Sequence, residues 1–315
     1  MNTNNWKKSL NDFGQQGTPC LFIIDYKGEN GQVFPLSELP SDIQFSFSEE
    51  KKADATPIAI EKHPVAYPEF EKAFNKVHSH LKNGDTELVN LTFATEISAV
   101  SLPEVYENAS AKYKILYKND WVCFSPEIFV KIEDNLIKTY PMKGTISATI
   151  PDAEATLLHN EKEIDEHHKV VRLLSSDLQK VATNVHTTRF RYVDVIKKST
   201  GDLLQTSSEI VGELPANWQE HLGDLLAAML PAGSIAGAPK EKSVAVIDEA
   251  ETYERGFYTG IAGVFDGKTL DSFVLIRFIE RIGDRYFYKS GAGITAQSKP
   301  LNEYNEIIEK IYIPI

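Results

Sequence analysis

Four apolar runs follow one another between Tyr113 and Tyr140, each three residues from the next: 113–117, 121–124, 128–132 and 136–140. The last gap, Glu133-Asp134-Asn135, is a tight-turn signal. Runs spaced this closely read as successive antiparallel strands. Other strands are legible at 21–26, which ends on Lys27-Gly28, and at 190–196, where apolar and polar residues alternate. Residues 273–279 and 285–289 flank Gly283-Asp284 as a hairpin. Helices interrupt the strands. Phe70, Phe74, Val77 and Leu81 share one face, with Gly84 just past the end. Ile164, Val171, Leu174, Leu178 and Val181 form the stripe of a longer helix. Pro239 opens a helix carrying Val244 and Ile247, and 303–310 reads as a C-terminal one. Hairpins broken by helices predict an α+β fold rather than a doubly wound sheet.

The 315 residues, 42% hydrophobic and 25% charged, belong to an ordinary soluble globular protein. No stretch approaches the roughly 20 apolar residues of a membrane span, and Met1 to Leu10 lacks the apolar segment of a secretory leader. Cys20 and Cys123 sit inside apolar runs and read as buried, inert thiols, which suits a reducing cytoplasm. Lys and Arg number 33 against 45 Asp and Glu, a net charge of −12 that argues against nucleic acid as a partner. An anionic substrate would need a local positive site within that field. Residues 46–57 read as a surface loop, and no internal repeat or interdomain linker is visible.

Several residues could carry chemistry. Glu163 and Glu166 lie three apart on the predicted helix, and Glu303 and Glu306 repeat the spacing on the last one. On spacing alone such pairs are more often solvated helix faces. If the helices face each other, four carboxylates need a cation, and an all-oxygen set suits Mg²⁺. The small-residue segment 231–240 runs into a helix start, where backbone amides favour an anion. Gly291 and Gly293 mark either a close backbone approach or a tight turn. Lys143, in Pro141-Met-Lys-Gly-Thr145, is either solvated or held among carboxylates, where burial and charge move its pKa in opposite directions. Arg277, inside an apolar run, lies on a solvent face or pairs with a carboxylate. His167 and His168 read as one packed and one exposed imidazole, without a metal-ligand partner. No cysteine stands in a glycine-flanked nucleophile context, so no glutaminase is built in.

Together these segments resemble the chorismate-binding enzymes, which include anthranilate, aminodeoxychorismate, isochorismate and salicylate synthases. The resemblance spans about residues 85–312 as ordered blocks: Asn90-Leu-Thr, Ser125-Pro-Glu127, 141–145, Lys162-Glu-Ile-Asp-Glu-His167, 231–240, Arg255-Gly-Phe-Tyr258, Ile276-Arg277 and 291–300 with Glu303-Tyr-Asn-Glu306. It implies a single α+β domain of two packed antiparallel sheets with flanking helices. Residues 1–84 would form a trimmed N-terminal part of it and 85–315 the catalytic core. It implies Mg²⁺ on Glu166 and Glu306, with Glu163 and Glu303 beside them. Tyr258, Arg277, Gly291 and Gly293 match positions that receive the enolpyruvyl carboxylate of chorismate, and Gly144, Thr145, Ser234 and Lys240 line the same site.

Within the family, Lys143 resembles the aminodeoxychorismate synthases, whose lysine attacks the chorismate ring, and Glu127 matches the general acid. Leu88 stands where isochorismate and salicylate synthases carry a water-activating lysine. Gln205 stands where anthranilate synthases carry a histidine implicated in pyruvate release. The resemblance thus implies a cytoplasmic transferase making 4-amino-4-deoxychorismate for p-aminobenzoate and folate, with ammonia from a separate glutamine amidotransferase subunit. One segment departs from the pattern: Arg172, Ser175 and Ser176 replace Asp, Arg and Asn, which predicts altered support around the carboxylate helix.

Overall fold

The computed structural model describes residues 5–48, 58–196 and 201–314. Most of the expected surface loop, 49–57, therefore lies outside the described residues. The chain builds two antiparallel sheets. The first runs Met142–Ser147, Leu203–Glu213, Leu136–Thr139, Ile128–Glu133, Leu270–Val274, Ile261–Phe265, Cys20–Ile24 and Gly31–Pro35, with Thr183–Ile196 on the other flank of Leu203–Glu213. The second runs Gly237–Ala238, Leu88–Ile97, Arg285–Ile294, Phe278–Ile282, Trp121–Ser125, Tyr113–Tyr117 and Ile43–Ser46, with Lys62–His63 beside Leu88–Ile97.

The sheets meet face to face. Leu21, Ile23, Ala262 and Phe273 of the first pack on Tyr113, Ile115, Trp121 and Phe278 of the second. The Tyr113 and Phe273 rings stack with centroids 4.8 Å apart. Helices cover the outer faces: Trp6–Gln16, Glu161–Leu178 and Leu222–Met229 over Phe22, Ile24 and Ile210, and Tyr67–Asn83, Lys240–Ala250 and Pro300–Glu309 over Val89, Leu91 and Ala292. Side chains alternate across a strand. A strand covered on both faces therefore reads as an unbroken apolar run, as Cys20–Ile24 does, buried throughout. The α+β fold of two packed antiparallel sheets expected from sequence is the fold observed.

Its central feature differs from the expected meander. Trp121–Ser125 pairs with Tyr113–Tyr117 in the second sheet, whereas Ile128–Glu133 pairs with Leu136–Thr139 in the first. The chain changes sheets at Pro126-Glu127. The expected strand 273–279 is likewise two strands, Leu270–Val274 in the first sheet and Phe278–Ile282 in the second, joined through Leu275, Ile276 and Arg277. The two crossings lie side by side: Phe124 N–H donates to the Arg277 carbonyl (3.1 Å) and Val274 N–H to that of Glu127 (3.0 Å). Pro126 has no N–H for a ladder, and Arg277 takes the left-handed φ of 56° that ends one.

Local signals behaved as their chemistry dictates. Asp134 (φ 50°) and Asn135 (φ 60°) form the two-residue turn between Glu133 and Leu136. Gly84, at φ 79°, caps helix Tyr67–Asn83. The helix Glu161–Leu178 starts on the Asn160 side chain and stops before Val181. The amphipathic helix Trp6–Gln16 was not foreseen; its Trp6 and Leu10 are buried. Burial pushes the Cys20 thiol up to about 12 and the Cys123 thiol well above its ordinary value, so both are inert. Among the described residues, no helix is long and apolar enough to cross a membrane.

Candidate active site

The two sheet crossings carry the first pair of site residues. Glu127, on one crossing, accepts a 2.5 Å hydrogen bond from the Ser234 hydroxyl. Burial raises its pKa; the Ser234 hydrogen bond and the charges of Lys310 and Arg277 oppose this, and burial wins. A carboxyl so placed holds its proton more tightly than an exposed one. Arg277, on the other crossing, donates from Nη1 to the Lys310 carbonyl (3.0 Å) and lies over the Tyr312 ring. It is half-buried, and among the described residues no carboxylate pairs with it.

Lys143 lies in a β-bulge. Strand Met142–Ser147 slips register against Leu203–Glu213 between Lys143 and Thr145. The residue between them, Gly144, holds φ at 78°, where a side chain is strained, and a Cβ there would come within 3.0 Å of the Glu163 carboxylate. The Thr206 hydroxyl donates to the Lys143 carbonyl and pins the bulge. Lys143 Nζ reaches Glu166 Oε2 at 2.8 Å. Burial pulls the lysine pKa down, but Glu166, with help from Glu163 and Glu306, outweighs it and raises it. Of the two alternatives open in the sequence, the carboxylates win, and the side chain is an ammonium.

Glu163 and Glu166 stand on the first turns of Glu161–Leu178, and Glu303 and Glu306 on Pro300–Glu309. Carboxylates of both helices act on the charge of Lys143, Glu166 most strongly and Glu306 least. Glu303 is 8% exposed, while Glu306 is open to solvent. Among the described residues, no three His, Cys, Asp or Glu side chains gather as metal ligands. The expected convergence of four carboxylates is therefore not drawn together, and ammonium groups answer the charge instead. Lys143 takes Glu166, and Lys310 takes Glu306 at 2.7 Å while donating to the Gly291 carbonyl at 2.8 Å. The donor set nonetheless fits a hard cation: it is all oxygen, and the neighbouring His167 is buried, hydrogen-bonded to Ser208 (2.7 Å) and held neutral by burial, its pKa lowered to about 4. His168 is exposed and stacks on Phe190.

Gly291 and Gly293 lie within strand Arg285–Ile294, opposite Thr92 and Asn90, so the close approach holds rather than the turn. A Cβ at Gly291 would stand 2.5 Å from the Thr92 methyl. Leu88 puts an apolar wall 3.3 Å from the same position on Gly293. Tyr258 is buried, and burial raises its pKa while the Arg255 and Arg277 charges lower it. Thr145 is exposed at the outer end of the bulge, opposite Gln205.

Among the described residues Lys240 meets none of the four carboxylates; its partner Asp177 lies against Gly233, the residue before Ser234. Lys240 Nζ contacts Asp177 (2.6 Å) and the Met229 carbonyl (2.8 Å), and burial lowers its pKa to about 8. Asp177 lies roughly 16 Å along the helix from Glu166, at 1.5 Å per residue, so Lys240 fastens the far end of that helix. Arg172 and Ser176 also point away, exposed, with Arg172 2.5 Å from Glu87. The departing segment thus falls largely on the solvent face. The residue the sequence did not single out is Lys310, whose only signal was its place four residues after Glu306.

The chorismate binding enzyme family model matches residues 35–315. An uncharacterised PabA-like protein of Haemophilus influenzae is 47% identical over 98% of this chain and 96% of its own length. Aminodeoxychorismate synthase component 1 of Bacillus subtilis is 32% identical over 79% of this chain and 55% of its own. An anthranilate synthase component 1 of Haloarcula marismortui is 33% identical over 76% and 51%. The chain thus spans about half the length of these last two relatives. Among solved structures, anthranilate synthase component I of Streptococcus pneumoniae superposes with a TM-score of 0.69 at 28% identity, covering 83% of this chain and 60% of that one. The menaquinone-specific isochorismate synthase of Escherichia coli shares the fold, with a TM-score of 0.73 at 16% identity over 98% of this chain and 80% of its own. With that family match over most of its length and the fold to go with it, the chain belongs to the chorismate binding enzymes.

Proposed function

We propose that the protein aminates chorismate to 4-amino-4-deoxychorismate. The observation that carries this reading is Lys143, held by the Gly144 bulge at Glu166, beside a buried Glu127 whose pKa burial raises. In this reading the Lys143 amine adds to ring C2, the ring double bonds shift, and the C4 hydroxyl leaves as water with the proton of Glu127. Ammonia then adds at C4, the double bonds shift back, the bond from C2 to Lys143 breaks with its electron pair returning to the lysine nitrogen, and the extra proton on the new amino group restores Glu127. The enolpyruvyl group stays on the product. Lys143 is an ammonium while Glu166 holds it, so attack begins once its proton has left. Arg277 and Lys310, with the backbone around Gly291 and Gly293, receive the enolpyruvyl carboxylate, and Tyr258 stands behind Arg277. Glu163, Glu166, Glu303 and Glu306 would hold Mg²⁺. When bound, that ion supplies a hard positive charge that answers these carboxylates and a carboxylate of the substrate.

The apolar Leu88 cannot activate water, which disfavours isochorismate chemistry. Gln205, opposite Thr145, cannot shuttle the proton that pyruvate release needs. Ammonia comes from a separate glutamine amidotransferase subunit, since both cysteines are buried with raised pKa values. The second reading is anthranilate synthesis, favoured by the 33% identical relative of that name.

Purified protein, incubated with chorismate, Mg²⁺ and concentrated ammonium at alkaline pH, decides between them by product mass and pyruvate release. An amino product that keeps the enolpyruvyl group is expected, with turnover abolished by a chelator. Anthranilate with free pyruvate would establish the second reading. Lys143→Ala should slow amination on the order of 10²-fold or more, the scale set by one positioned catalytic group, while still binding chorismate. Unchanged turnover in that variant would sink the covalent role.

A further inference from the structure

Ser234 is held against Glu127 by residues that do not line the cleft. Glu251 and Arg255 have side chains 3% and 2% exposed and form a bidentate pair, Nη2 to Oε1 at 2.7 Å and Nε to Oε2 at 2.9 Å. Of the remaining guanidinium donors, two reach backbone carbonyls, Nη1 that of Ile235 (2.9 Å) and Nη2 that of Asn90 (2.6 Å), and the second Nη1 donor points at the Thr259 hydroxyl (3.4 Å). Glu251 in turn accepts from the Thr92 N–H and the Thr92 hydroxyl, each at 2.8 Å. The Asn90 side-chain amide adds a second donor to the Ile235 carbonyl at 3.1 Å. One ion pair thus ties the residue after Ser234 to Asn90 and Thr92, the strand positions opposite Gly293 and Gly291.

A pair this deeply buried is a poor device for stability alone. Desolvating two charges consumes most of their mutual attraction, and apolar side chains of similar size often serve as well. What apolar side chains cannot do is hold two carbonyls in fixed places. Here the fixed carbonyl of Ile235 sets the backbone whose preceding residue hydrogen-bonds the Glu127 carboxyl.

We propose that the buried Glu251–Arg255 pair is a positioning element that keeps the Ser234 hydroxyl on Glu127 and thereby controls the proton this acid carries. Its link to catalysis rests on Glu127 being the acid of the proposed amination; its link to Ser234 does not. The charged groups facing Glu127 are Lys310 after the C-terminal helix and Arg277 on the neighbouring crossing, and neither belongs to the pair.

The test is a titration of Glu127 in the full chain by carboxyl ¹³C NMR, the resonance assigned with Glu127→Gln. Ser234→Ala removes a donor that stabilises the carboxylate, so the midpoint rises by about one pH unit, the scale of a hydrogen bond to a charged group. The joint replacement Glu251→Leu with Arg255→Met removes both charges and should raise it similarly. Added to Ser234→Ala, the joint replacement should shift it no further, because both act through one hydroxyl. Where the joint variant does not fold, Arg255→Lys keeps a charge beside Glu251, loses the fork to Ile235 and gives the same reading. A folded pair variant that titrates like the parent, or shifts that add to that of Ser234→Ala, would overturn the proposal. Protein that shows the expected shifts yet turns over no chorismate would leave the positioning role standing and remove the proposed reaction.

Discussion

Among single residues, Lys310 shows best how an individual side chain escapes a sequence reading. A lysine four residues after a glutamate is the commonest of helix-surface pairs, and only the fold shows that its ammonium also meets the Gly291 carbonyl and that its own carbonyl receives Arg277. Lys240 is the opposite case. It was placed in the site with its block, yet Asp177 claims it at the far end of a helix. Lys143 and Arg277 were legible as candidates because an ionisable residue in an apolar or glycine-bearing segment is costly unless used, whereas Glu127 entered only through the family resemblance. Their surroundings were not legible, since they come from distant segments. Lys310→Met should weaken chorismate binding about tenfold, the loss of roughly 1.4 kcal/mol of charge-assisted contact, with Lys310→Arg retaining most of it. Calorimetric titration reads this directly, and an unchanged Kd would take Lys310 out of the anion site.

For strands and helices, turn chemistry was readable and sheet membership was not. Asp134-Asn135 announced its hairpin, and Gly84 its helix end. An apolar run such as 273–279 looks the same whether it stays in one sheet or passes between two, because both environments are buried on both faces. The residues at the break had to be found in space. The bulge at Gly144 was equally hidden, since glycine in a strand signals either a bend or a close approach. Here it is a bend that aims Lys143. Gly144→Ala should cost about 1–2 kcal/mol from the left-handed backbone, a fall in Tm of about 2–4 °C in thermal unfolding. It should also press on Glu163. A variant as stable as the parent would show that the bulge relaxes freely.

Taken whole, the molecule holds a charge of −12; in the proposed reading Arg277 and Lys310, from two separate segments, supply the local positive site that an anionic substrate needs within that field. Elsewhere the acidic surface is tied between layers. His80, on helix Tyr67–Asn83, bonds Asp85 at 2.8 Å and reaches Glu249 of helix Lys240–Ala250 at 3.3 Å. The Asp85 hydrogen bond above all raises the His80 pKa. A raised folded-state pKa gives stability that is complete below the unfolded value of about 6.5 and is lost as pH rises through the folded one. The Tm gap between the parent and His80→Ala should therefore be wider at pH 6 than at pH 9, by an amount near the ~0.5 kcal/mol of a largely solvated pair. A gap independent of pH would mean that the imidazole acts only by packing. The paired crossings have a mechanical consequence as well. Glu127 and Arg277 ride on two neighbouring strands bonded to each other where both change sheets, so a slide of one sheet over the other carries carboxyl and guanidinium together. The carboxylate helices, which rest on different sheets, have no such shared axle. Breathing of the sandwich would open and close the cleft between the carboxylate helices while Glu127 and Arg277 kept their spacing.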